Sequence, residues 1–272
     1  MPVDLLVVGG GKMGSALLAG LGAAGWAGAG RLGVVEIDPA RREELIAAHP
    51  GVVVAGSLDD PAVGPAVGPA GGAVLAVKPD AAEGTCRALG AVGITRILSV
   101  VAGLPAARLE AVLPDGAVVV RAMPNMPALI GAGVTALSGG SNARSDDLNW
   151  AEGIAAALGK VVRVPERQLD AVTGLSGSGP AYVFLIAEAL IEAGVLAGLT
   201  RELSRTLTVE TLLGSASLLA GSGETPEALR AAVTSPGGTT AAALRVLESR
   251  AVRSAMLEAV LAATERARNL AR

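Results

Sequence analysis

Cysteine is almost missing from this chain: Cys86 is the only one in 272 residues. No intrachain disulfide can form, which excludes a disulfide-stapled secreted scaffold and fits a reducing compartment. Cationic runs are missing too. The net charge is −3, and no cluster of lysine or arginine gives the electrostatic footprint of a nucleic-acid surface. No charged leader precedes an apolar stretch with a cleavage site, so no secretory signal is read and a cytoplasmic location is expected. Charge is sparse altogether, 17% against 51% hydrophobic residues. That balance excludes a disordered chain and supplies a large core. One uncharged stretch, MGSALLAGLGAAGWAGAG (13–30), is long enough to be weighed as a membrane span. Its six glycines, and its place after a strand and a glycine turn, fit a buried helix followed by a loop instead, so no membrane partner is expected.

What the chain does have is alternation. DLLVVGG (4–10) is a continuous apolar run, as expected of a strand buried on both faces. A helix follows, then a second strand in RLGVVEID (31–38) and a polar helix from Arg41 to Ala48, ending at His49-Pro50-Gly51. GVVVAG (51–56), GGAVLAVKP (71–79), ITRILSVVAG (94–103) and GAVVVRAMP (116–124) are further strands, and GVTALSGG (133–140) and GKVVRVP (159–165) are shorter candidates. PAVGPAVGPAGG (61–72) contains a short repeat and is expected to be irregular. This order predicts an α/β, Rossmann-type doubly wound parallel sheet over residues 1–164. From residue 165 to 272 helical periods dominate, which predicts an all-α second domain. Thr200 has the place of an N-cap for a helix running towards Ala220, and Thr225-Pro226-Glu227 has that of cap, first turn and dipole partner for another. PAYVFLIAEALIEAGVLAGL (180–199) is apolar on nearly every side and must be covered all round. A domain of this size has trouble covering several such helices alone, so the second domain is expected to form an intimate dimer.

The chemistry begins at VVGGGKMGSALLAG (7–20), where Gly9, Gly11 and Gly14 stand in the G-x-G-x-x-G spacing. The motif directly follows an apolar strand and opens a helix, the context that gives it meaning. Gly9 permits the tight turn, Gly11 lets a pyrophosphate approach the backbone, and Gly14 lets helix and strand pack closely. Glu36 lies 22 residues after Gly14, near the ~20 expected for an acid on the adenosine ribose. Such a carboxylate favours NAD(H). Asp38 could share its role, while Arg41 and Arg42 could instead pair a phosphate. AVKP (76–79) puts Lys78 at the carboxyl edge of the sheet, where ligands bind. TSPGGTTAAAL (234–244) interrupts the apolar C-terminal region. It reads either as a turn with an N-cap or as a cradle for a small anion, with N–H groups bared at Gly237, Gly238 and Thr239.

GGGKMG (9–14), AVKP (76–79), SVVAG (99–103), RAMPNMPALIGAG (121–133), GLSGSGPAY (174–182) and SPGGTTAAALRVLE (235–248) occur in that order over nearly the whole chain. In them the sequence resembles the pyrroline-5-carboxylate reductases. The resemblance implies a Rossmann domain, and an all-α dimerisation domain that interlocks two subunits into a homodimer, often within a decamer of five dimers. It implies reduction of the ring C=N of 1-pyrroline-5-carboxylate to L-proline with NADPH or NADH and without a metal. By the same resemblance, Thr240 reaches the ring nitrogen as the catalytic residue. Substrate would be held by Ser235, Gly237, Gly238, Thr239, Thr240 and Ser176. Cofactor would be held by Gly9, Gly11, Lys12, Met13, Gly14, Glu36, Ala76, Val77, Lys78, Pro79 and Asn125. Two positions depart from the pattern. Met126 stands where many members carry Thr, and Glu36 and Asp38 stand where NADPH-preferring members often have small hydroxyl or basic residues, which leans towards NADH. The β-hydroxyacid dehydrogenases share the architecture but need a lysine on the helical domain, and the lysines here are Lys12, Lys78 and Lys160. A non-catalytic NAD(P)-binding regulator would have no use for an intact SPGGT turn.

Overall fold

The computed structural model describes residues 3–25, 31–63 and 71–270. Part of the stretches 13–30 and 61–72 therefore lies outside the described residues. The chain forms two compact units, one running to Ser178 and including the stretch from Ala262 onward, the other Gly179–Leu261.

The first unit is built on eight strands: β1 (Leu5–Val8), β2 (Leu32–Val35), β3 (Val53–Ala55), β4 (Gly72–Leu75), β5 (Arg96–Ser99), β6 (Val118–Met123), β7 (Gly133–Gly139) and β8 (Gly159–Arg163). They lie side by side in the order β3-β2-β1-β4-β5-β6-β7-β8. β1 to β6 pair in parallel, with Leu5 opposite both Leu32 and Gly72. Helices α1 (Lys12–Ala23), α2 (Pro39–Ala48), α3 (Pro79–Ala91) and α4 (Ala106–Glu110) provide the crossovers, as the alternation predicts.

β1 shows why these runs are apolar throughout. Leu5 and Val7 join the core on one face, with Leu17 and Leu21 of α1. Leu6 and Val8 join the core on the other, with Ala82, Cys86 and Leu89 of α3. Successive side chains point to opposite faces, and both faces are covered. The Cys86 thiol is fully buried, and burial first, then the negative charge of Glu83, push its pKa up to about 11.

The sheet departs from the all-parallel expectation at one place. β7 runs antiparallel to β6, and β8 runs parallel to β7. Only residues 124–132 join β6 to β7, too few for the dozen or so that a parallel return needs. α5 (Ser145–Ala155) then crosses over to β8, and its Ala151 and Ile154 complete the first core. α6 (Leu169–Val172) follows, and a single π-helical turn spans Thr173–Gly177.

The second unit is helical, as expected from residue 165 onward. It contains α7 (Gly179–Leu196), α8 (Arg201–Ser222), α9 (Pro226–Ala232) and α10 (Thr239–Ser249), and α11 (Val252–Leu270) comes next in the chain. Thr200 caps α8 by accepting from the Leu203 N–H at 3.2 Å, and Thr225 caps α9 through the Ala228 N–H at 3.2 Å. α7 ends before Gly198, whose φ of +103° stops the helix. α7 and α8 touch through small residues: a Cβ on Gly194 would overlap the Ser204 hydroxyl, which donates to the Ile191 carbonyl at 2.8 Å. Their outer faces stay uncovered within the chain, with Phe184 54%, Leu185 64% and Leu213 60% exposed.

Candidate active site

The glycine loop between β1 and α1 has a different physical reason at each glycine. Gly9 has φ +104°, and a Cβ there would stand 2.6 Å from the Ala76 carbonyl oxygen just beyond β4. A Cβ on Gly14 would overlap the Gly9 carbonyl oxygen. At Gly11 nothing lies within 4 Å of a Cβ position, so the backbone there is open to a close-approaching group. Gly11 is also the N-cap of α1 and offers no side chain to its first turn. The N–H groups at that helix end are left to a ligand, and the helix dipole favours an anion.

A cleft of about 420 Å³ opens at this point, lined among others by Gly9, Gly11, Glu36, Ala76, Val77 and Lys78. A second cleft of about 540 Å³ shares Val8, Val35, Ile37, Ala81 and Thr85 with it, and extends past Gly56, Ser57 and Asp59. Together they follow the carboxyl ends of β1, β2, β3 and β4, the place where doubly wound sheets bind nucleotides. The cradle, the uncapped helix end and the acid at the end of β2 fit a dinucleotide.

The acid is already bonded. Glu36 Oε2 accepts from the Gly10 N–H at 2.8 Å, and Oε1 from the Asp38 N–H at 3.0 Å. Asp38 caps α2 by accepting from the Ala40 N–H at 3.0 Å. Arg41 and Arg42 are engaged as well. Arg41 donates to the Gly10 carbonyl and the Ser15 hydroxyl, both at 2.8 Å. Arg42 donates to the carbonyls of Glu36 and Ile37, both at 2.9 Å. Lys78 is the N-cap residue of α3, with Pro79 at its first position. Lys12, Met13, Gly14 and Pro79 adjoin the cleft without lining it. Met13 packs against the core.

Asn125 and Ser176 do not line that cleft, but they meet each other. Asn125 Nδ2 donates to the Ser176 carbonyl at 3.2 Å, and its Oδ1 accepts from the Val134 N–H at 2.9 Å. The Ser176 hydroxyl donates back to the Val172 carbonyl at 3.1 Å. The π turn closes with Ser178 N–H on the Thr173 carbonyl at 2.8 Å. Gly177 makes room for Met123, whose Cε would stand 2.9 Å from a Cβ there. Glu166, which the sequence did not single out, accepts from Arg121 Nη1 at 2.9 Å and from the Ala106 N–H at 2.8 Å. It ties β6 to the start of α4, and no local pattern announces it.

In the second unit, Ser235, Gly237, Gly238, Thr239 and Thr240 share one turn. Gly237 has φ +71°. The Gly238 N–H closes the turn on the Ser235 carbonyl at 3.0 Å, so this N–H is engaged within the turn rather than bared. α10 starts at Thr239 with Gly238 as N-cap, and no side chain caps it. The threonine hydroxyls thus do not serve as the N-cap, and the first-turn N–H groups have no intrahelical carbonyl to bond.

A Gly-rich strand–turn–helix, an acid closing the second strand and a cleft at the carboxyl edge define a dinucleotide-binding protein of the Rossmann class. The chain is 41% identical to a pyrroline-5-carboxylate reductase of Synechocystis over 99% of both chains, and 43% identical to that of Mycobacterium tuberculosis over 98% of this chain and 96% of the relative. It belongs to the pyrroline-5-carboxylate reductase family. Residues 166–270 match the family described as pyrroline-5-carboxylate reductase dimerisation. The fold superposes on a pyrroline-5-carboxylate reductase from Coxiella burnetii with a TM-score of 0.90 at 35% identity, each chain covered completely. It superposes on the Plasmodium falciparum pyrroline carboxylate reductase with NADP bound at 0.84 and 29% identity, over 99% of this chain and 98% of that one. The matched dimerisation region contains the uncovered apolar helices, and the match supports a homodimer. It also accounts for Glu166–Leu196, which by length and composition alone could cross a membrane.

Proposed function

We propose that the protein reduces the C=N bond of 1-pyrroline-5-carboxylate to L-proline with NADH or NADPH, the last step of proline biosynthesis. The observation that carries this reading is the family match over the full chain, together with a glycine cleft shaped for a dinucleotide. Gly9, Gly11, Gly14 and the start of α1 with Lys12 and Met13 would receive the pyrophosphate. Ala76, Val77, Lys78 and Pro79 would border the ribose and nicotinamide side, with Asn125 and Ser176 holding the loops beyond. Glu36 would accept from the adenosine ribose. Arg41 and Arg42 are bonded to the protein's own oxygens, which leaves them poorly placed to take a 2′-phosphate and supports a preference for NADH.

In the second unit, the N–H groups of Gly237, Thr239 and Thr240 would hold the substrate carboxylate at the positive end of α10, with Ser235 and Gly238 shaping the turn. The Thr240 hydroxyl would hydrogen-bond the ring nitrogen. The nicotinamide, when bound, supplies the hydride that adds to the imine carbon. A proton on the nitrogen completes the amine, and the protein's part is orientation and electrostatics. The assembly would be a homodimer, with five dimers joined as a decamer, in the cytoplasm.

Steady-state kinetics with 1-pyrroline-5-carboxylate on the wild type and Thr240→Ala test the reading. A hydrogen bond made mainly in the transition state is worth about 1–3 kcal/mol, so the variant should lose roughly ten- to a hundred-fold in kcat/KM with cofactor affinity unchanged. Full efficiency in Thr240→Ala would remove the hydroxyl from the reaction.

A further inference from the structure

The glycine loop is held at Gly10 by side chains from outside its own strand and helix. The Gly10 N–H is bonded to Glu36 Oε2 at 2.8 Å, and the Gly10 carbonyl accepts from Arg41 Nε at 2.8 Å. The same carbonyl accepts from the Ser15 hydroxyl at 3.2 Å, and Arg41 Nη2 donates to that hydroxyl oxygen at 2.8 Å. Gly10 itself is buried, and a Cβ there would run into Leu45 of α2. Each bond orients a whole peptide plane, because N–H and C=O of a trans peptide point in opposite directions. Holding the Gly10 carbonyl aims the Gly11 N–H the other way, and Gly11 is the open position of the loop. Holding the Gly10 N–H aims the Gly9 carbonyl, against which Gly14 packs.

We propose that Arg41 and Glu36 form a clamp on Gly10, and that Arg41 is a positioning residue for any cofactor with a pyrophosphate rather than a reader of a 2′-phosphate. This rests on the dinucleotide reading of the cleft. The guanidinium has donors on Gly10 and Ser15, and its Nη1 bonds Glu44 at 2.5 Å. A bidentate grip on a phosphate through Nε and Nη2 would take both donors from Gly10 and Ser15 and open the clamp. Glu36 is fixed by one backbone N–H on each oxygen and retains a lone pair on each for ribose hydroxyls. The clamp therefore aims the acid at the ribose as well as shaping the loop.

The test is binding of NADH, NADPH and ADP-ribose to the full-length protein by titration calorimetry, with Arg41→Ala, Arg41→Lys, Glu36→Ser and Glu44→Gln. Arg41→Ala should raise all three dissociation constants by one common factor of about ten, and the KM for cofactor with them more than kcat. Arg41→Lys, with one donor site instead of a fork, should recover part of the loss. Glu36→Ser should change the ratio of NADPH to NADH affinity, and Glu44→Gln, which keeps an acceptor for Nη1, should weaken all three ligands by less than Arg41→Ala does. Amide exchange at Gly10, whose N–H is buried and bonded to Glu36, should be faster in ligand-free Arg41→Ala and Arg41→Lys than in the wild type, and the lysine variant keeps this readout if the alanine variant folds poorly. Weakening of NADPH alone would make Arg41 a 2′-phosphate reader and overturn the clamp, as would unchanged affinity for all three. A wild type that binds none of the three would instead overturn the dinucleotide reading itself.

Discussion

His49 stands just after α2 and is the chain's one histidine. Burial, and secondarily the positive charge of Arg41, lower its pKa below the ordinary 6.5. The unfolded chain therefore binds the proton at a pH where the folded chain does not. Stability contributed by the neutral imidazole is complete above about pH 6.5 and falls as pH drops towards the folded pKa. Denaturant titrations between about pH 8 and pH 5 should show the wild type losing stability relative to His49→Asn, and the opposite trend would contradict the sign. Single residues also mark the limit of what a sequence tells. The spacing after Gly14 points to Glu36 as an acid for the ribose. It could not show that both carboxylate oxygens are held by backbone N–H groups, or that Arg41 grips Gly10, because those partners are set by how α2 folds back over the loop.

At the scale of elements, the strand–helix alternation was legible because the central strands β1, β2 and β4 are buried on both faces and therefore apolar without interruption. The reversal at β7 depends on the length of a connection rather than on composition, and the π turn at Thr173–Gly177 hides behind glycines and serines that read as helix breakers. The glycine loop makes the sharpest prediction. Gly14→Ala forces a methyl against the Gly9 carbonyl and should cost about 1–3 kcal/mol of stability. Gly11→Ala places its methyl in open space at an N-cap and should cost less than about 1 kcal/mol, yet the methyl stands in the cleft. Thermal midpoints and NADH affinity measured together should separate them: Gly14→Ala loses stability first, Gly11→Ala loses binding first. Equal profiles would contradict the assignment of the open position to the pyrophosphate.

For the whole molecule, the apolar helices of the second unit decide the state of assembly. α7 carries apolar side chains on nearly every side, and Phe184, Leu185 and Leu196 are exposed in the isolated chain. Exposed apolar side chains gathered on one element mark an association surface. Sedimentation velocity at micromolar concentration should show no stable monomer, and a folded, monodisperse monomer would contradict the homodimer. The need for a partner was legible in the sequence, since one hydrophobic helix can be counted against the material available to cover it. The sequence carries no comparable signal for assembly beyond the dimer.

The most direct measurement of the central claim is a product balance. The wild-type protein is incubated with NADH and 1-pyrroline-5-carboxylate, and proline formed is counted against NADH oxidised. One proline for each NADH is the predicted result. NADH bound by the protein, but no proline formed with either NADH or NADPH, would contradict it.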